Sequence, residues 1–297
     1  MTRIFVTGIN SFIGKELQHQ CDEQGTEVIG IDLTGPFSNN IHHANFLQTE
    51  TYSQLLINCD AVVHLAALSD ATQCLAKPTA SVLTNIYGTQ LLLDTIWEAG
   101  VRHFVFASTE WVYTNFRDDE TKDENSLIHF NQKMSEYALS KLTAEKLVEQ
   151  FAERRDLAAT ILRFGIVYGP RDKPSSAFES LTAKVRDGNN IEVGSKATGR
   201  HFIHCKDIVS AILKSINLKG VNTLNVQGDK LITLEDVINT AAMLLNKSPV
   251  VKELSPTTPS IRRVSNKRAK HLLDWQPKYD LMRGVQSLLQ HRGQLND

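Results

Sequence analysis

Tyr137 and Lys141 stand four residues apart in the run Tyr137-Ala138-Leu139-Ser140-Lys141. On a helix that spacing puts a phenol and an ammonium on one face, open to the same cleft. An ammonium beside a phenol favours the phenolate and lowers its pKa from about 10. Proton transfer near neutral pH then becomes available, as the oxidation or reduction of an alcohol requires. Taken alone, the pair is also what a half-buried tyrosine beside a solvated lysine would give. Its order is what marks it: it follows the loop Thr7-Gly8-Ile9-Asn10-Ser11-Phe12-Ile13-Gly14 and then the hydroxyl pair Ser108-Thr109.

These residues need a frame, and the first half of the chain predicts one. Short apolar runs at 4–6, 28–31, 61–65, 104–107 and 160–162 read as strands. Amphipathic stretches at 13–21, 80–97 and 135–153 read as helices between them. Alternation of this kind implies an α/β fold, a doubly wound parallel sheet with helices on both faces. After Pro170 the regularity breaks, with helices expected at 178–186, 207–216, 234–245, 266–273 and 279–290 and a strand at 191–193. The expected division is a dinucleotide-binding domain over 1–170, to which 200–226 returns, and a smaller mixed α/β substrate lobe over 171–297.

With 297 residues the chain has ample length for a core, and its formal charge of -1 leaves no basic footprint. Nucleic acid and anionic membranes are therefore not expected partners. No apolar run approaches the roughly 20 residues that span a bilayer. The first residues enter a strand at once, so no signal peptide is expected. Cys21, Cys59, Cys74 and Cys205 lack any paired spacing. They read as reduced cysteines of a cytoplasmic protein, with no metal site or disulfide frame.

The glycine loop follows the first strand and opens the first helix, the setting in which a helix N-terminus receives a dinucleotide pyrophosphate. Gly8 permits the tight turn and Gly14 the close packing of helix on strand. Ser11 occupies the middle position, where a glycine usually lets the phosphate approach. Asp32 ends the second strand, 18 positions beyond Gly14. A carboxylate there accepts from both ribose hydroxyls and repels a 2′-phosphate, and Leu33 follows where an arginine would serve NADP. The expected cofactor is NAD. A plain strand-to-helix turn and an ordinary turn aspartate are the alternatives at these two places.

With these motifs in order, the sequence resembles the extended short-chain dehydrogenase/reductase family, in particular its NAD-dependent nucleotide-sugar epimerase/dehydratase group. Also in the family's order are Asp60-Ala61-Val62-Val63-His64-Leu65-Ala66-Ala67, Asn85-Ile86-Tyr87-Gly88-Thr89 and Phe104 to Tyr113 with Ser108-Thr109. Arg163-Phe164-Gly165-Ile166-Val167-Tyr168-Gly169-Pro170, Gly199-Arg200-His201-Phe202 and the terminal run from Lys267 to Pro277 complete the match. The resemblance implies a Rossmann sheet and a catalytic set of Thr109, Tyr137 and Lys141. Thr109 would bond the substrate oxygen, Tyr137 exchange its proton, and Lys141 depress the Tyr137 pKa and hold the nicotinamide ribose. It assigns the cofactor to Gly8, Asn10, Ser11, Phe12, Ile13, Gly14, Asp32, Asn45, Phe46, Leu65, Ala66, Ala67, Asn85, Ser108, Tyr137, Lys141 and Ile166. It assigns the substrate to Ser69, Thr109, Glu110, Trp111, Phe178, Arg200 and Arg262, the arginines meeting a diphosphate. His64 and His204 read as packed core histidines.

Trp111 cannot act as a base, which argues against a 4,6-dehydratase. The first reading is a nucleotide-sugar epimerase acting at C4 through transient oxidation. The alternative is a 4-ketoreductase or sugar dehydrogenase that exchanges NAD(P)H, because Thr109-Glu110-Trp111-Val112-Tyr113 resembles the reductase pattern. A dinucleotide-binding protein without turnover is a third class, disfavoured by the presence of both Tyr137 and Lys141. The family also implies a homodimer through a four-helix bundle built from 85–97 and 137–153, although burial within one chain would explain the same apolar positions.

Overall fold

The apolar runs form strands because both of their faces are covered. In the computed structural model, which describes residues 2–117, 119–188 and 190–293, β1 is Arg3–Thr7, and its Ile4, Phe5 and Val6 are fully buried. β2 is Glu27–Asp32, β3 Ile41–His43, β4 Ala61–His64 and β5 His103–Thr109. With Ala158–Phe164 and Val221–Val226 they make a seven-stranded sheet. Its order is Val221–Val226, Ala158–Phe164, β5, β4, β1, β2, β3. β1 pairs in parallel with both β2 and β4, β2 with β3, and β4 with β5. The chain thus runs outward from β1 to β3 and then restarts on the other side at β4. At such a switch point the carboxyl ends of neighbouring strands leave a crevice.

Helix α1, Phe12–Gln24, begins where the Ser11 hydroxyl accepts from the Gly14 N–H and ends at Gly25, whose φ of 68° suits glycine. The helix Glu136–Arg155 is set in the same way by Ser135, which accepts from the Ala138 N–H. Glu136 in its first turn and Arg154 and Arg155 in its last complement the helix dipole. The single helix expected over 80–97 is three pieces: Pro78–Ser81, a wider π-helical turn Val82–Tyr87, and Gly88–Glu98. Gly88 fits there because a Cβ would lie 2.5 Å from the Phe46 ring.

The chain divides into two units, one of Met1–Thr114, Leu127–Arg163 and Val209–Leu224, the other of Asn115–Ser126, Phe164–Ile208 and Asn225–Asp297. Asn115–Ser126 leaves the first unit early, and after Arg163 the chain stays in the second unit except for Val209–Leu224. The first has a core around Phe5, Tyr52, Val62, Leu92, Phe104 and Ile161. The second packs helices Ala177–Asp187, Leu234–Leu245 and Leu281–His291 around Tyr168, Phe178, Val237 and Leu288. Its strands are two- or three-residue pieces, such as Gly199–Arg200 against Ile232–Thr233. No helix among the described residues is long and apolar enough to cross a membrane.

Candidate active site

In the first unit a cleft of about 410 Å³ opens at the switch point between β1 and β4. Gly8, Asn10, Ser11, Asp32, Phe46, Leu65, Ala66, Ala67 and Ser69 all line it. Gly8 has φ of 75°, and a Cβ on it would lie 2.8 Å from the Ala66 nitrogen. A Cβ on Gly14, beneath the loop, would lie 2.4 Å from the Ile9 carbonyl oxygen. Both positions therefore exclude any side chain. Ser11, by contrast, has φ of -65° and needs no glycine; its hydroxyl caps α1 and keeps a proton to donate.

Asp32 shapes the far wall of this cleft. It accepts from the Asn10 N–H at 2.9 Å and from the Thr34 N–H at 3.0 Å. The Asn10 side chain donates to the carbonyls of Thr34 and Pro36 at 2.6 and 3.0 Å. Phe12 and Ile13 lie in the first turn of α1, half-buried. Asn45 accepts from the Leu47 N–H at 3.0 Å, a bond that sets a local turn. Asn85, assigned to the cofactor by resemblance, has its amide fully engaged with protein. It bonds both Leu68 backbone groups and the Ser140 hydroxyl, each at 2.9 Å. Its role is to tie the loop after β4 to the helix that carries Tyr137.

Thr109 ends β5, and its Oγ1 accepts from the Trp111 N–H at 3.2 Å. The Thr109 side chain is a hydrogen-bonding neighbour of the Tyr137 phenol. Lys141, one turn on, is buried, donates from Nζ to the Ala107 carbonyl at 2.8 Å and stands 4.6 Å over the Phe106 ring. Burial pushes Lys141 down to about 8, with the charges of Glu145 and Cys74 opposing the fall. Burial also pushes Tyr137 up to about 12; Cys74 adds to the rise and the Thr109 hydrogen bond opposes it. The groups that move the Tyr137 phenol are thus burial, Cys74 and Thr109, and the lowering by Lys141 expected from the helix spacing is not among them.

Two further assigned side chains are engaged with protein groups. Ser108, expected at the cofactor, gives its hydroxyl proton to Glu145. Phe178, expected at the substrate, is 0% exposed and stacked on Tyr168 at 3.9 Å in the core of the second unit. Glu110 is buried, and Trp111 beside it is 42% exposed. His64 is a core residue: the Thr7 and Thr89 hydroxyls lie 2.6 and 3.2 Å from its ring nitrogens. Burial, aided by Lys141, holds its pKa well below the usual histidine range. His204 is likewise buried, stacked on Tyr279 at 3.7 Å.

Sequence inspection missed Glu145, Arg163 and Tyr113. Arg163 Nε lies 3.0 Å and Nη2 2.6 Å from the two Glu145 oxygens, and Nη1 lies 2.9 Å from the Tyr113 oxygen. Cys74 was also missed; its thiol donates to the Leu68 carbonyl at 3.3 Å. Arg163 and Tyr113 stood in motifs that the resemblance rests on but had no role assigned, and for Glu145 the signal was its step of four from Lys141.

In the second unit, Arg262 lies 4.5 Å over the Phe116 ring and lines a cleft of about 650 Å³ with Arg117 and Arg263. Arg200 donates to the Ser260 hydroxyl at 3.0 Å. Ile166 is half-buried, and its carbonyl accepts from the Ile203 N–H at 3.0 Å.

Comparison with known proteins places the chain in a family. A profile of the NAD dependent epimerase/dehydratase family matches residues 4–226. A Bacillus subtilis (strain 168) protein described as an uncharacterized UDP-glucose epimerase is 30% identical, over 95% of each chain. The UDP-glucuronate 4-epimerase of Thermodesulfobacterium geofontis (strain OPF15) is 26% identical, over 94% of this chain and 93% of that one. The solved structure of MoeE5 in complex with UDP-glucuronic acid and NAD aligns with a TM-score of 0.86 at 26% identity, over 99% of this chain and 100% of that one. The side-chain-free turn at Gly8 and the helix face of Tyr137 and Lys141 thus occur in a chain that belongs to the NAD-dependent epimerase/dehydratase family.

Proposed function

We propose that this protein is a nucleotide-sugar epimerase acting at C4, with Thr109, Tyr137 and Lys141 carrying the proton chemistry. The observation that carries the reading is the half-buried Tyr137, with Thr109 acting on its phenol, on one helix face with the buried Lys141. The residues present fit NAD: the turn at Gly8 is a cradle that a Cβ would fill, and it faces the N-terminus of α1. Gly8 and Ser11 would hold the diphosphate, Asp32 the adenosine ribose, and Lys141 the nicotinamide ribose. When bound, NAD supplies a reversible two-electron oxidant, so a sugar alcohol can become a ketone and return to an alcohol with no net oxidation.

Thr109 would orient the C4 oxygen and Tyr137 would hold or receive its proton. Held protonated by burial, Tyr137 is ready as the acid of the returning half-reaction. In the forward half the Lys141 ammonium must stabilise the phenolate against burial, which ties turnover to the charge on Lys141. The cleft of the second unit, with Arg117, Arg262 and Arg263 around Phe116, suits a nucleoside diphosphate. The names of the relatives favour a UDP-sugar.

The same reading includes a homodimer. Val82, Leu83 and Tyr87 on one helical stretch and Leu139 on the other are exposed apolar residues, as a helix-bundle interface requires. Four free, buried cysteines support a reducing compartment and a cytoplasmic site of action.

The test is to incubate purified protein with UDP-glucose, UDP-galactose or UDP-glucuronate without added NADH or NADPH. The C4 epimer is expected, with NAD released on heating the protein. Turnover only of a 4-ketosugar nucleotide, matched by consumption of added NADH or NADPH, would replace the epimerase with a reductase.

A further inference from the structure

Glu145 occupies the next position on the helix face of Tyr137 and Lys141, one turn beyond the lysine. It is 0% exposed, and two strands hold it. Ser108 donates to it from β5, and Arg163 grips both of its oxygens from the strand Ala158–Phe164. Arg163 is buried too, and its remaining arm reaches the Tyr113 oxygen. Burial works against the guanidinium charge, but the hydrogen bond and charge of Glu145, with Tyr113, outweigh it and raise the Arg163 pKa. A buried ion pair of this kind is commonly no more stabilising than apolar residues of the same volume. Its place beneath Lys141 suggests a use other than stability.

We propose that Glu145 and Arg163 are positioning residues for Lys141: the clamped carboxylate sets a fixed negative charge one helical turn beneath the ammonium and keeps it charged in a buried site. The groups facing Lys141 on its own helix are Tyr137 and Glu145. From β5 come the Ala107 carbonyl and the Phe106 ring, from β4 the neutral His64, and from the helix Ala71–Ala76 the Cys74 thiol. Among these described residues Glu145 brings the carboxylate charge, and it is the largest influence opposing burial. Buried lysines without such support titrate as low as about 5–6, where the side chain would be neutral when Tyr137 needs it charged.

The direct test is a pH titration of the full chain carrying 13Cε-labelled lysine, with the Lys141 resonance assigned by its loss in Lys141→Met. Wild-type Lys141 is expected to titrate near pH 8. Glu145→Gln should lower that value by about one unit or more, because a charge is removed from a low-dielectric site. Arg163→Met leaves Glu145 buried without its cation, so the carboxylate takes up a proton and the Lys141 titration should fall as it does in Glu145→Gln. Arg163→Lys, which keeps a cation beside Glu145, should bring the titration back toward the wild-type value, a dependence on charge that general loosening of the fold would not produce. Should a variant fail to fold, the wild-type value decides: titration near 5–6 overturns the proposal, as does a Glu145→Gln protein with the wild-type titration.

The activity arm rests on the proposed function, with the alkaline limb of kcat/KM moving to lower pH in Glu145→Gln. If no epimerisation is found but the Lys141 titration still falls in Glu145→Gln, the functional reading fails and this one stands. If epimerisation is found and the titration does not move, only this one fails.

Discussion

Replacing Gly8 with alanine should damage both stability and cofactor binding, and the two costs can be separated. The residue has φ of 75°, a left-handed conformation that costs an L-residue about 1–2 kcal/mol. The new Cβ would also lie 2.8 Å from the Ala66 nitrogen, 3.0 Å from its Cα and 3.2 Å from the Leu65 carbonyl carbon. These are backbone atoms and cannot swing aside. The Ala66 N–H already donates to the Thr7 carbonyl at 3.1 Å, so retreat stretches that bond. Overpacking of this sort adds about 1–3 kcal/mol, for a total of about 2–5 kcal/mol. Gly25→Ala is the control, with φ of 68° and no atom within 4 Å of the added Cβ, so it should show the conformational part alone. Urea unfolding of both variants should differ by about 1–3 kcal/mol. Calorimetric titration with NAD should show Gly8→Ala binding about tenfold weaker or worse, about 1.4 kcal/mol, because Leu65 and Ala66 line the cleft. A Gly8→Ala protein matching Gly25→Ala in stability and wild type in NAD affinity would refute the argument.

Other outcomes follow from the same geometry. Lys141 falls from 10.5 unfolded to about 8 folded, so its burial costs stability below pH 8 and the cost vanishes as pH rises toward 10.5. Lys141→Met should therefore lose turnover yet gain stability relative to wild type at pH 7, and this relative gain should shrink by about 3 kcal/mol by pH 10.5; a stability difference independent of pH in urea unfolding would contradict it. Tyr137→Phe should keep NAD binding, measured by calorimetry, while kcat falls by about a hundredfold or more, as loss of a proton-transfer group predicts. Leu83→Glu with Tyr87→Glu should yield a monomer by light scattering if the exposed helix face is the dimer contact.

What could be read from the sequence was what depends on local backbone and helix period. Gly8 and Gly14 are demanded by one turn, Asp32 by the end of one strand, and Tyr137 with Lys141 by one helical repeat. Arg163 and Glu145 are 18 residues apart on a strand and a helix, and nothing in the chain pairs them before the sheet forms. Ser108 and Asn85 were found as positions, but whether their polar groups face the cleft or other protein groups depends on packing. Phe178 failed for the same reason: an aromatic beside an expected substrate loop looks identical whether it points inward or outward. The rise of the Tyr137 pKa was hidden because burial is a tertiary quantity. The two-residue strands of the second unit are too short to show any period.

The return of Val209–Leu224 to the first unit has a consequence for synthesis. The ribosome delivers this segment only after roughly sixty further residues have followed Arg163. At about 5–20 residues per second this is a gap of about 3–12 s. For that interval Ala158–Phe164, buried along nearly its whole length in the finished sheet, has no Val221–Val226 beside it. An unpaired apolar edge of this kind is a template for association with other nascent chains. Pauses in translation between residues 164 and 224 would lengthen the exposure, so the yield of folded protein depends on how quickly that stretch is made as well as on what it encodes.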